Sequence, residues 1–213
     1  MPPRARSPWL NRASPAPSIA STRPRPGPRW LERLAAIRRR RTHRPSPPFD
    51  DAAAMFTTLD HHGVAYVVIG GMAAAMWGAD LPRTVDADIV PAGGRANLER
   101  LAAALAELGA RLRVLGEPQG VPAPLDAEQL AGLTVVTLLT DHGPLDVTFR
   151  PDGTDGYDDL ARRATTRPVG DHPGVPVADL ADVIASKEAA GRPKDLRALP
   201  TLRRLLARLR LSS

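Results

Sequence analysis

Cysteine is absent from the 213 residues, which excludes disulfides, thiolate zinc sites and a cysteine nucleophile. No apolar run approaches the roughly 18 residues that a membrane span needs. The N-terminus also lacks the uninterrupted apolar core of a secretory signal. These absences lead to the expectation of a cytoplasmic protein with no membrane partner. Acids are scarce in one stretch only: residues 1–48 hold twelve arginines and a single acid, Glu32. Residues 49–213 hold 17 Lys/Arg against 22 Asp/Glu. The formal charge of +6 therefore combines a basic arm with a mildly acidic body, as suits a unit that collects carboxylates for a cation.

What is present divides by texture. Residues 1–28 are dense in Pro, Arg and Ser, and such a segment offers too little apolar area to offset chain entropy, so it is expected to be disordered. Within residues 29–41, Trp30, Leu31, Leu34 and Ile37 fall near helical spacing. A short basic helix there could neutralise phosphates, although an inert solvated tail is the simpler reading. Residues 49–177 are expected to form the core, with a helical region over 178–213 packed on it. The pattern predicts a helix over 50–62, a buried strand over 64–69 and a compact helix ending at Gly78. A strand over 85–90, a helix over 94–109 and a strand near 111–115 follow. EPQGVPAPLD reads as a Pro-rich loop. Strands are expected over 133–140 and 145–149, and helices over 156–165, 178–190 and 193–210, with a Pro-Gly-Pro loop before the second. The class is α/β, with a small mixed sheet, flanking helices and a helical C-terminal region.

Asp86 and Asp88 stand two apart in a predicted strand, so their carboxylates share one face. Two acids so placed repel each other, and a hard cation such as magnesium or manganese would compensate. Asp146 lies in a second apolar strand; if the strands are neighbours, three acids converge. That geometry serves metal-assisted nucleotidyl transfer. By itself Asp-x-Asp is a weak signal, since a solvated strand face is a common fate for charged residues in strands. Gly70-Gly71 adds a second element, since glycines between a strand and a helix let backbone amides approach a phosphate. A ligand-free tight turn would use the same residues. Order and spacing together point to a site.

The stretch IGGMAAAMWGADLPRTVDADIV resembles the signature of the DNA polymerase β-like nucleotidyltransferase superfamily. SKEAAGRPKDLRAL resembles bacterial members, among them the AbiEii-type toxin nucleotidyltransferases, and the likeness spans roughly residues 50–200. The resemblance implies that Asp86, Asp88 and Asp146 bind Mg2+ or Mn2+, and that Asp146 activates the acceptor hydroxyl. It implies that Gly70 and Gly71 hold the triphosphate and that Lys187 contacts the nucleotide. Arg83 occupies a position that is often basic, suited to a phosphate contact. Asp195 lies in the matching Lys-Asp-Leu stretch without an assigned role. Gly71 stands where many toxin-like members carry Ser, so no hydroxyl is available there. The implied activity transfers a nucleoside monophosphate from an NTP to a hydroxyl of RNA or tRNA, a protein or a small molecule. A cognate antitoxin would accompany a toxin-like member. Two rivals stand beside it: an inactive adaptor using the basic arm on nucleic acid, and an enzyme acting on an aminoglycoside-like alcohol.

Each residue also has a plainer use. Lys187 could pair with Asp182 on the surface, Arg83 could neutralise Asp86 or Asp80, and Asp195 could open a helix after Pro193. His61, His62, His142 and His172 lack zinc spacing and are expected at the surface or as caps. Met76 and Trp77 read as core. Asp152, Asp155, Asp158 and Asp159 lack the ligand spacing of a calcium loop.

Overall fold

A run of β-branched and aromatic residues places β1 (Tyr66–Ile69) inside the sheet, with all four residues buried, as a strand covered on both faces requires. The computed structural model describes residues 50–82, 84, 86–122 and 124–212. The basic arm, with its expected disorder and short helix, and Arg83 lie outside the described residues. The described elements belong to one unit within Pro45–Ser213.

Helix α1 (Asp50–His61) precedes β1, and α2 (Gly70–Met76) follows it directly. Next come β2 (Ala87–Pro91), α3 (Arg95–Glu107), β3 (Arg111–Val114), β4 (Glu117–Pro122) and α4 (Ala127–Ala131). Then follow β5 (Val135–Thr140), β6 (Gly143–Thr148), α5 (Tyr157–Ala161), β7 (Thr165–Val169) and β8 (His172–Val177). Helices α6 (Leu180–Ala190) and α7 (Pro193–Leu211) close the chain. The eight strands form one sheet in the order β4-β3-β5-β6-β2-β1-β8-β7. The β2/β6 and β1/β8 pairs are parallel, and the other neighbours are antiparallel. This is the mixed α/β arrangement expected from the sequence.

Alternation along β2 and β6 sorts their side chains. Ala87, Ile89, Leu145 and Val147 are buried in the core, while Asp88, Asp146 and Thr148 retain access to solvent on the other face. Asn97 of α3 fastens the opposite end of the central strands. Its amide accepts from Ala65 N–H at 2.7 Å and donates to the Ala65 and Ala92 carbonyls at 3.0 and 2.9 Å. A buried amide so fully paired costs little and fixes the strand ends to the helix.

Three expectations fail, two of them on proline-bearing stretches. Glu117–Pro122 is not a loop but β4, and the stretch expected as a helix over 156–165 contains only α5 before β7 begins. The expected Pro-Gly-Pro loop is largely β8. Proline cannot donate to a ladder and so usually argues against a strand. Here β4 and β7 are the two sheet edges, where a missing donor is tolerated, and β8 shares only Val68↔Val177 with β1. Asp126 also opens a short helix through a reciprocal capping box with Gln129.

Trp77 pins the end of α2. Its indole N–H donates to the Ala178 carbonyl at 2.8 Å, and the Arg167 guanidinium carbon lies 3.5 Å from the ring centroid. Arg167 also donates to the Met76 carbonyl at 3.2 Å, capping the helix end with a cation. The expectation that Trp77 and Met76 pack against the core is met.

Candidate active site

Strand register decides whether the acids meet. Asp88 pairs with Asp146 across the parallel β2/β6 ladder, flanked by Ala87↔Leu145 and Ile89↔Val147. Paired residues present their side chains on the same face, so the two carboxylates are neighbours. Asp86, expected inside the strand, lies just before β2, two residues from Asp88. Burial, reinforced by the negative charges of Asp146 and Asp86, pushes the Asp88 carboxyl up to about 6. The carboxyl of Asp146 is also raised, chiefly by burial and further by Asp86, against the opposing pull of Arg113. Its Oδ1 is buried without a hydrogen-bond partner.

The Gly-Gly turn sits directly against this pair. Ile69 is register-paired with Asp88 in the antiparallel β1/β2 ladder, so the next residue, Gly70, is delivered to the same place. Gly70 has φ 72°, a conformation that L side chains rarely adopt. A Cβ there would stand 2.3 Å from Asp88 Oδ2. Both its backbone angle and its space demand glycine. A Cβ on Gly71 would meet Thr84 at 3.2 Å, so a serine could enter only if Thr84 gave way slightly.

The chain contains two lysines, Lys187 and Lys194, and the charges of both act on Asp88. Lys187 lies in the last turn of α6, which packs against α2 and α7. Its ammonium donates to Asp195 Oδ1 at 2.9 Å. Asp195, in the first turn of α7, has no exposed surface. Arg192 bonds its other oxygen. Burial opposes ionisation of Asp195, yet the bonds from Lys187 and Arg192 outweigh it and hold the carboxyl below its usual range. The expected surface pair of Lys187 with Asp182 is not formed; Asp182 instead receives Arg163 at 2.8 Å. Asp195 does open a helix, but its buried carboxylate also fixes the lysine.

Arg113 was not singled out by sequence. Its guanidinium reaches from β3 across β5 to within 3.6 Å of Asp86 Oδ1 and 3.8 Å of Asp146 Oδ1. Alternating Arg111 and Arg113 in a strand was the available signal, since period two places both on one face.

The residues suit a divalent ion in kind, with three carboxylates as hard oxygen donors and one orphaned oxygen on Asp146. As the side chains stand, no three acidic or imidazole groups among the described residues are gathered tightly enough to hold a metal. The described histidines form no metal-holding cluster with the acids. His62 bonds Glu107 at 2.7 Å, and His172, expected at the surface or as a cap, is buried, pairs with Asp60 at 3.1 Å and accepts from the Gly174 backbone N–H at 3.2 Å. Asp159 is engaged by Arg162 and Arg163 rather than by a calcium-type loop.

No family model and no curated protein matches the chain. Among solved structures it is similar to the antibiotic-resistance factor ANT(2'')-Ia, with 14% identity and a TM-score of 0.44 over 77% of this chain and 94% of that one. A likeness this distant leaves the chemistry to be read from the side chains themselves.

Proposed function

We propose that this protein is a metal-dependent nucleotidyltransferase that moves a nucleoside monophosphate from an NTP to an acceptor hydroxyl. The observation that carries the reading is the pairing of Asp88 with Asp146 immediately beside Gly70. Carboxylates of the kind that ligate a hard cation thus adjoin a backbone turn suited to a phosphate. Asp86, Asp88 and Asp146 would hold Mg2+ or Mn2+, which would supply Lewis-acid polarisation of the phosphoryl and acceptor oxygens.

The chain's own groups supply the rest. The Gly70 and Gly71 backbone accepts the triphosphate with no side chain in the way, and the positive φ of Gly70 is one that glycine adopts without strain. Lys187 donates one proton to Asp195 and keeps two for phosphate oxygens, adding charge stabilisation where pyrophosphate departs. Asp146 accepts the acceptor hydroxyl's proton as the oxygen–phosphorus bond forms. The bond between the α-phosphorus and the bridging oxygen breaks, and pyrophosphate leaves with that electron pair. Lys194 and Arg83 are further cations available to the nucleotide.

Incubation with α-labelled ATP, CTP, GTP and UTP, Mg2+ or Mn2+, and either total RNA, protein extract or aminoglycosides tests the reading. Label is expected in one acceptor class and lost with Asp88→Asn. Full transfer by the folded Asp88→Asn protein would remove Asp88 from the mechanism. Binding of NTP with no transfer to any class would favour an inactive adaptor instead.

A further inference from the structure

We propose that Arg113 is a resident counter-cation of the acidic cluster, which a divalent ion must displace in order to bind. The inference rests on the reading of Asp86, Asp88 and Asp146 as a cation site and adds a residue that this reading does not contain. Arg113 places its Nη1 and Nη2 against one oxygen each of Asp86 and Asp146, at 3.6 and 3.8 Å. These are ion-pair distances, longer than hydrogen bonds. Asp146 Oδ1 therefore faces a positive charge without being satisfied by it. A charge that neutralises without bonding can be exchanged for one that bonds.

Backbone irregularity aims the side chain. The β3/β4 register shifts between Leu112 and Val114, at Arg113 itself. Leu112 pairs with Val121 and Val114 with Glu117, so Pro118, Gln119 and Gly120 lie opposite Arg113 alone. Such bulges bend a strand and redirect the side chain they flank. Gly120 makes the crowding possible, since with φ 68° its Cβ would stand 2.9 Å from both Arg111 Cβ and the Leu112 carbonyl oxygen. The Arg113 side chain is 43% exposed, so it can leave the acids for solvent without opening the core. On its departure the two carboxylates are free to close on a smaller, doubly charged ion. Release of Arg113 and loading of the ion are then one exchange, and without the ion Arg113 stands against Asp86 and Asp146.

Manganese binding by the full chain, followed by electron paramagnetic resonance or calorimetry, tests this without any turnover. Arg113→Ala is expected to bind Mn2+ about three- to tenfold more tightly than the wild type, because two long, partly screened ion pairs no longer oppose it. Arg113→Lys, which keeps the charge, is expected to fall between the two. In metal-free buffer Arg113→Ala should melt lower than the wild type and gain more from Mn2+. Equal or weaker Mn2+ binding by Arg113→Ala, with binding still abolished by Asp88→Asn, overturns the exchange and leaves the metal centre standing. Absence of Mn2+ binding in wild type and Arg113→Ala alike overturns both.

Discussion

Asp88 is the residue on which charge, burial and strand pairing act together. Its carboxyl is raised from 3.8 to about 6 by burial and by Asp146 and Asp86. The folded state therefore binds this proton more tightly than the unfolded chain does. Stability contributed by the protonated group is present below about pH 4 and is lost as pH rises toward 6. Without metal, Asp88→Asn is accordingly expected to melt above the wild type at pH 7.5, by an amount on the order of 2 kcal/mol. The gap should close as the pH is lowered to 4, and thermal unfolding in EDTA across that range checks it. A wild type more stable than Asp88→Asn at neutral pH would contradict the repulsion described here. Gly70→Ala is expected to lose about 1–2 kcal/mol from its left-handed backbone. It should also lose most nucleotide transfer, because the new methyl group takes the space of Asp88 Oδ2. Chemical denaturation and the labelled-nucleotide assay measure the two effects separately.

Two junctions between elements hold the site in shape. The first joins α6 to α7 through Lys187, Asp195 and Arg192. Asp195→Ala leaves Lys187 close to buried with its partner gone, and removal of one member of such a pair costs about 3 kcal/mol. A lower melting temperature is expected, together with a raised KM for the nucleotide as Lys187 loses its anchor. Lys187→Ala should raise that KM as well, and an unchanged KM in both variants would detach the lysine from the nucleotide. The second junction is Arg167 stacked on Trp77 at the end of α2. Arg167→Ala forfeits the stack and the bond to the Met76 carbonyl, an expected loss of about 1–2 kcal/mol. This junction was hidden from sequence reading because Pro168, Pro173 and Pro176 argue against strands, while the tertiary fold placed β7 at an edge.

At the scale of the molecule, a cation that binds only the folded chain should stabilise all of it. At a hundredfold excess over Kd the gain is about 2.7 kcal/mol. A Mn2+-dependent rise in melting temperature is expected in the wild type and should vanish in Asp88→Asn, where scanning calorimetry with and without EDTA reads it. A rise of equal size in that variant would place the cation elsewhere.

The sequence by itself determined the central strand, the Gly-Gly turn after it and the α/β order, because side-chain periodicity and glycine's backbone freedom act locally. Even the rarity of lysine, two in the whole chain, was readable there. Only the tertiary structure decided that Asp146 pairs with Asp88, since register between strands 58 residues apart depends on what both bury on their core faces. It also decided that Asp195 holds Lys187 and that Arg113 crosses β5 to face the acids. Lys187 and Asp195 stand in neighbouring helices and meet only because the turn between them folds one helix back on the other. Arg113 comes from a strand distant in the chain from both acids, and no local pattern encodes which charge will arrive.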